Sequence, residues 1–182
     1  MPHIPALDPA TVTGPSAELL GDLKRKVGAV PNLYRTVAHS PAALRGLLAL
    51  GDALGGGTLS PAFREQLALT LAEANGCDYC LSAHSLIGKR SGLSPEAIRD
   101  ARQGRAADPR LEAGLRLARA VNETHGRAAA AELQAAREAG LSDGEIAEII
   151  AHVALNVFTN AFNNVADPEI DFPRAAPAQA AD

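Results

Sequence analysis

One stretch near the middle of the chain most constrains the fold, because its pattern indicates two helices joined by a tight reversal. Ser60 is a good N-cap residue and Pro61 suits a first helical turn, so we predict a helix over residues 61–75. The dipeptide Asn75-Gly76 tolerates the left-handed conformation that ends helices. A second helix over about residues 77–90 would then fold back as the other half of an antiparallel hairpin.

This hairpin would bring four reactive side chains together. Cys77 and Cys80 are the only cysteines, and their C-x-x-C spacing allows a disulfide. His84 lies one helical turn beyond Cys80, and in an antiparallel hairpin it comes level with the region of Glu65 to Ala68, so that Glu65 can reach it. A helix N-terminus and a nearby imidazolium both stabilise a thiolate. We therefore predict a Glu65–His84–Cys80 relay in which Cys80 attacks and Cys77 resolves.

The cysteine pair also has a metal interpretation, which the sequence disfavours. A structural zinc site needs four ligands, and no second C-x-x-C or H-x3-5-H motif completes the set. Cys77, Cys80 and His84, with Glu65 as a fourth ligand, could still hold an ion, but we predict no metal. A thioredoxin fold is disfavoured too, because a helix precedes the cysteines where that fold has a strand.

A second carboxylate, Glu73, competes with Glu65 for the role beside the histidine. Glu73 is nearer in sequence to Cys77. It lies two turns past Glu65 and is rotated by about 80°, since each helical residue advances by ~100°. We therefore interpret Glu73 as structural.

The composition favours one all-α domain without a β-sheet. The chain has 182 residues, of which 47% are hydrophobic, enough for one sizeable core. Alanine and leucine abound, and there are no runs of β-branched residues. We predict an extended N-terminal arm over residues 1–15, a helical domain over 16–172 and a disordered tail over 173–182.

Charge and hydropathy disfavour several classes of function. The net charge is −4, the aromatic content is 3% and tryptophan is absent, so we expect no nucleic-acid surface. No apolar run approaches the roughly 20 residues of a membrane-spanning helix. The N-terminus lacks the blocks of a signal peptide. We predict a cytoplasmic protein, and in that compartment a vicinal thiol pair is more often catalytic than structural.

The last predicted helix carries a polar stripe on an otherwise apolar surface. His152, Asn156, Asn160 and Asn163 recur at helical spacing. Such a stripe can join helices or subunits, or it can line a redox pocket and orient a substrate. We assign Asn156 and Asn160 to substrate binding, together with Tyr79, which would form a pocket wall and could donate a proton.

The sequence resembles the AhpD-like alkylhydroperoxidases of the carboxymuconolactone decarboxylase superfamily. The resemblance rests on the pattern E-x11-C-x-x-C-x-x-x-H and covers about residues 25–173. The stretches VGAVPNLYRTVAHSPAALRG and ALNVFTNAFNNVADPEIDFP are similar to the peroxidase-related branch. Glu65, Cys77, Cys80 and His84 match the family's catalytic positions. Asp78-Tyr79 stands between the cysteines where some members carry a histidine, so a second catalytic histidine is not carried over.

The resemblance and the residues together imply a thiol-dependent peroxidase or disulfide oxidoreductase. Its substrate would be an alkyl hydroperoxide or a partner disulfide, and an external dithiol or thioredoxin-like protein would reduce it. No nucleotide-binding motif is present, so we predict no cofactor. The family also implies a homo-oligomer, such as a dimer, trimer or hexamer. A lactone-processing enzyme and a non-enzymatic redox or metal sensor are the alternatives.

Overall fold

The computed structural model describes residues 1–176, and all of its regular structure is α-helical. This confirms the predicted all-α class and the single domain built around a helical hairpin. Within the described residues no helix is both long and apolar enough to cross a membrane. The helices are α1 (Pro15–Val27), α2 (Asn32–Val37), α3 (Pro41–Gly55), α4 (Pro61–Ala74), α5 (Asp78–Arg90), α6 (Pro95–Arg102), α7 (Pro109–Thr124), α8 (Ala130–Glu138) and α9 (Asp143–Ala166).

Serine caps define where four of these helices begin. The hydroxyls of Ser40, Ser60 and Ser94 each accept a hydrogen bond from the N–H three residues later, and a proline follows each cap. Ser142 and Glu145 form a reciprocal capping box at the start of α9. The helix predicted over residues 61–75 from the Ser60-Pro61 signal is therefore confirmed within one residue.

Helix α4 is the centre of the molecule. It packs against α5, α6, α7 and α9, and every residue from 66 to 72 is buried. Leu69 and Ala72 belong to one core cluster with α1, α2, α3, α5 and α6, whereas Leu67 and Leu71 belong to another with α7, α8 and α9. A helix packed on all sides is held rigidly, and it therefore fixes the position of any side chain at its surface.

The N-terminal arm and the last described residues lie against the helical body. The N–H groups of His3 and Ile4 donate to the carbonyl of Ala166 at the end of α9, at 2.9 and 3.1 Å. At the other end, the N–H of Ala175 donates to the Ser82 hydroxyl at 3.1 Å. The arm thus contacts its own chain. Most of the predicted disordered tail, residues 177–182, lies outside the described residues.

Candidate active site

The hairpin of α4 and α5 has the register that the sequence predicts. Gly76, with a φ of 62°, makes the reversal between the two helices, in a conformation that glycine adopts without strain. The Nδ1–H of His84 donates to Oε2 of Glu65 at 2.8 Å. Both side chains are mostly buried, at 26% exposure for His84 and 16% for Glu65. The carboxylate therefore fixes the imidazole so that Nε2 is the nitrogen left for chemistry.

Cys77 and Cys80 form a disulfide at the N-terminus of α5. Cys77 is the N-cap residue, and its sulfur accepts a hydrogen bond from the N–H of Cys80 at 3.2 Å. Cys77 is fully buried and Cys80 is 3% exposed. A globular partner therefore cannot reach either sulfur without a change in structure.

A cavity of about 390 Å³ lies beside the disulfide. Glu65, Cys80 and His84 line it from α4 and α5, while His152 and Asn163 line it from α9. Cys77 is not part of the lining, so Cys80 is the sulfur that faces the cavity. The remaining wall is largely apolar and includes Leu33, Leu47, Leu48, Ala68, Ala83 and Leu155.

The polar stripe of α9 divides between the cavity and the core. Asn156 lines the cavity, and its amide donates to the carbonyl of His152 at 2.8 Å. Asn160 is fully buried and is not part of the lining; its Oδ1 accepts from Nδ2 of Asn75 at 2.9 Å. The assignment of Asn160 to substrate binding therefore gains no support, and Asn160 instead joins α9 to the end of α4.

Asn163 is the stripe residue that contacts the disulfide. Its Nδ2 donates to the Cys80 sulfur at 3.3 Å. Its Oδ1 is buried and has no hydrogen-bond partner within residues 1–176. The place of Asn163 on the polar stripe is visible in the sequence, but its contact with Cys80 is not.

Tyr79 forms part of the cavity wall, but its hydroxyl is already engaged. The hydroxyl accepts from the N–H of Leu33 at 3.0 Å and donates to Asp171 at 2.8 Å. Burial raises the pKa of Tyr79 far above its ordinary value. The ring packs edge-on against Phe172. These contacts make Tyr79 a fixed wall between α2, α5 and the C-terminal segment rather than a free proton donor.

Two cavity residues, Tyr34 and His152, were not assigned to the site from the sequence. Burial, and then the Asp52 and Glu65 carboxylates, raise the pKa of Tyr34, which therefore stays protonated. Burial, and then the Arg64 charge, lower the pKa of His152, so its imidazole is neutral at neutral pH. Neither residue has a motif-like spacing from the cysteines. For Tyr34 the sequence gives no signal, and for His152 the only signal is its helical spacing from Asn163.

The structure shows where Glu73 lies and whether the described residues form a cluster of metal ligands. Glu73 accepts from Nε of Arg102 at 2.6 Å and does not line the cavity, in agreement with its structural interpretation. Among residues 1–176, no three histidine, cysteine, aspartate or glutamate side chains are grouped so as to hold a metal ion.

Comparison with known proteins identifies a matching family and similar folds. The carboxymuconolactone decarboxylase family profile matches residues 41–123, from the start of α3 to the end of α7. A peroxidase-related protein from Ralstonia eutropha JMP134, described as an alkylhydroperoxidase AhpD core, is 27% identical, with a TM-score of 0.80 over 94% of this chain and 92% of that one. The comparison with curated proteins gave no significant match.

Two further solved structures share the fold at lower identity. A peroxidase-related protein from Silicibacter sp. TM1040 is 21% identical, with a TM-score of 0.76 over 96% of this chain and 93% of that one. The debrominase Bmp8, solved in complex with 2,3,4-tribromopyrrole, is 18% identical, with a TM-score of 0.77 over 93% of this chain and 91% of that one. At these identities the likeness concerns the fold alone.

The fold and the site together define an all-α protein with a redox-active cysteine pair in a central helical hairpin. Residues 41–123 match the carboxymuconolactone decarboxylase family, and the chain is similar to an AhpD-like core protein over most of its length. That family includes enzymes, and the cysteine pair supports a redox role.

Proposed function

We propose that the protein is a thiol-dependent peroxidase that cycles between the Cys77–Cys80 disulfide and the dithiol. The observation that carries the proposal is the joint position of a cysteine pair and a Glu65–His84 pair at one cavity. A redox sulfur, a proton acceptor and a group that orients this acceptor are the parts that an activated thiol requires.

The oxidative half begins with the reduced pair. Nε2 of His84 takes the proton of the Cys80 thiol, directly or through a water, and Glu65 stabilises the resulting imidazolium. The thiolate attacks the terminal oxygen of a hydroperoxide, the O–O bond breaks, and the leaving alkoxide takes the proton from His84. Cys80 is then a sulfenic acid, and the Cys77 thiol condenses with it to give the disulfide and water.

The choice of Cys80 as the attacking thiol is supported by access. The helix N-terminus stabilises negative charge on Cys77, which caps α5, but Cys77 is fully buried and does not line the cavity. A thiolate must contact the oxidant to react. Cys80 is therefore assigned to attack and Cys77 to resolve.

The burial of both sulfurs also limits which oxidising substrate and which external dithiol can reach them. A cavity of about 390 Å³ whose wall is largely apolar suits a small organic hydroperoxide better than the disulfide of a folded partner. In the reductive half, an external dithiol cleaves the disulfide by exchange and leaves oxidised. A small or extended dithiol can enter the cavity, whereas a thioredoxin-like protein would need the site to open.

The test is turnover of a hydroperoxide by the purified chain. With dithiothreitol as reductant, cumene hydroperoxide should be consumed catalytically, and a single oxidation should remove both titratable thiols. Cys80→Ser should abolish the reaction, and reduced Cys77→Ser mixed with the hydroperoxide without dithiothreitol should consume one equivalent and stop at the sulfenic acid. Reversible loss of both thiols without turnover of any hydroperoxide or disulfide would instead favour the sensor. Conversion of a carboxylated lactone, unaffected by Cys80→Ser, would favour the lactone enzyme.

A further inference from the structure

We propose that Asn163 positions both partners of the oxidation, holding the Cys80 sulfur with its amide N–H and the hydroperoxide with its amide oxygen. This inference rests on the peroxidase function proposed above. It concerns a residue of α9, 83 positions from Cys80 in the sequence.

The first part of the argument is the contact with sulfur. Nδ2 of Asn163 lies 3.3 Å from the Cys80 sulfur in the oxidised protein. Nitrogen rather than oxygen faces the sulfur because only the N–H can donate to it. Reduction places negative charge on this atom, and a hydrogen bond to a charged acceptor is stronger than one to a neutral acceptor. The contact therefore favours the thiolate over both the thiol and the disulfide.

The second part is the vacant acceptor on the same amide. Oδ1 of Asn163 is buried, faces no donor within the described part of the chain, and belongs to a side chain that lines the cavity and is only 3% exposed. Buried polar atoms normally have a partner, and an orphan at a reactive centre calls for one supplied by a ligand. The missing partner must be a hydrogen-bond donor that sits next to the Cys80 sulfur.

A hydroperoxide has such a donor in the required place. Its terminal oxygen carries one hydrogen and is also the atom that the thiolate attacks. A bond from this O–H to Oδ1 of Asn163 would hold the terminal oxygen beside the sulfur that Nδ2 contacts. During attack the S–O bond forms and the O–O bond breaks. The hydrogen stays on the transferred oxygen, which becomes the hydroxyl of the sulfenic acid, and the alkoxide leaves with the proton from His84.

Two variants separate the two halves of the amide. Asn163→Leu removes both the donor and the acceptor at similar volume. Asn163→Asp keeps an acceptor for the hydroperoxide but replaces the N–H with an oxygen that repels a thiolate. Asn164→Leu and Asn164→Asp are matched controls, since Asn164 is exposed, its side chain donates to the carbonyl of Asn75, and it lies on another side of α9 from Asn163. All are made in the full chain with Cys77→Ser, which retains a capping residue at the start of α5.

The measurement compares two reagents that attack the same sulfur. tert-Butyl hydroperoxide has an O–H, whereas 4,4′-dithiodipyridine reports thiolate reactivity without one. At pH 7, Asn163→Asp should slow both reactions by about tenfold, in parallel, because the thiolate loses a charge-assisted hydrogen bond. Asn163→Leu should slow dithiodipyridine by about tenfold and the hydroperoxide by about a further tenfold. The Asn164 variants should match their parent.

The outcomes are distinguishable from failure of the proposed function. If the parent reacts with dithiodipyridine but not with the hydroperoxide, the peroxidase function fails, and the dithiodipyridine rates still test the contact with sulfur. If Asn163→Leu slows both reagents equally, the amide oxygen does not bind the hydroperoxide. If neither Asn163 variant slows either reagent while thermal unfolding shows both to be folded, the whole inference is overturned.

Discussion

At the scale of single residues, the hydrogen bond from His84 to Glu65 fixes the orientation of the His84 imidazole. The 2.8 Å hydrogen bond occupies Nδ1, so that Nε2 remains for the thiol proton. Both residues are held by helices that are themselves fixed, because α4 is packed on all sides. In the proposed relay Glu65 acts on the sulfur only through His84, and the effect of its charge can be tested without changing the shape of the side chain.

Glu65→Gln should slow the oxidation of reduced protein by a hydroperoxide by roughly 10²-fold, the lower end of what general-base assistance contributes. The amide keeps the shape of the carboxylate but removes the charge that stabilises the imidazolium. Thiol alkylation measured against pH should correspondingly require a higher pH to reach half its maximal rate. His84→Ala should have a similar effect, and the double variant should be little worse than either single one.

Glu73→Gln is the matched control for this prediction. Glu73 lies on the same helix but pairs with Arg102 away from the cavity. Its replacement should leave the alkylation profile unchanged. A displaced profile for Glu73→Gln, with none for Glu65→Gln, would show that the wrong carboxylate has been assigned to the relay.

At the scale of elements, α9 matters because it presents His152, Asn156 and Asn163 to the cavity, and its start is fixed by a capping box. The Ser142 N–H and the Arg110 guanidinium, followed by the Ser142 hydroxyl, lower the pKa of Glu145 to about 2. A carboxyl group whose pKa falls on folding stabilises the native state above its unfolded pKa, and this contribution disappears as the pH drops through the native value.

Glu145→Ala should lower the free energy of unfolding by about 1 kcal/mol at pH 7, the typical cost of losing a helix cap. The difference from wild type should persist down to about pH 4.5 and disappear as the pH falls toward about 2. Denaturant unfolding at several pH values measures both. Glu145→Gln is the control, because glutamine can keep the capping box without the charge; a pH dependence equal to wild type in this variant would contradict the assignment.

Helix packing around α4 depends on a glycine in α7. A Cβ at Gly114 would lie 2.7 Å from the ring of Phe63, 3.3 Å from Ile149 and 3.4 Å from Leu141. These side chains come from α4, α9 and the residue before the α9 capping box. Because all three belong to one packed core cluster, the ring has little room to move aside.

Gly114→Ala should therefore destabilise the fold by about 1–3 kcal/mol, as overpacked cores generally do. Gly46→Ala is the matched control in α3, since a Cβ there would meet nothing within 4 Å. That substitution should instead stabilise by roughly 0.5–1 kcal/mol through helix propensity. Thermal unfolding of Gly114→Ala and Gly46→Ala measures both changes in stability. Equal changes in the two variants would contradict the packing argument.

At the scale of the whole molecule, α9 has a second face that a single chain leaves uncovered. Ile150, Val157, Phe158 and Val165 recur at helical spacing and are each more than a third exposed. A helix of 24 residues is about 36 Å long, which is enough to form the centre of a standard-size interface. The predicted homo-oligomer would bury this face.

Light scattering at micromolar concentration should therefore give a mass above that of one 18.8 kDa chain. Phe158→Glu should shift the protein toward the monomer, because a carboxylate in an apolar interface is costly to desolvate. Ala131→Glu adds the same charge to the exposed surface of α8 and should leave the mass unchanged. A monomeric wild-type protein would refute the predicted oligomer.

The amino-acid sequence by itself determined the helices and the core of the site. Helix ends depend on local signals, such as Ser60-Pro61 at the start of α4 and the capping box of α9. The hairpin followed as well, because a tight reversal at Gly76 favours antiparallel helices, and that arrangement brings His84 within reach of Glu65. These features depend on neighbours that are close in sequence.

The tertiary structure decided which polar residues of α9 reach the sulfur. With a helical step of ~100° per residue, Asn160 lies about 80° around the helix from His152, whereas Asn163 lies only about 20° from it. The helical period therefore distinguishes Asn160 from Asn163, but it does not say which side of α9 faces α5. That choice depends on how α9 packs against α4 and α5. Likewise, Tyr79 was fixed by Asp171, 92 positions away. Such contacts form only when the whole core assembles, because no local preference encodes them.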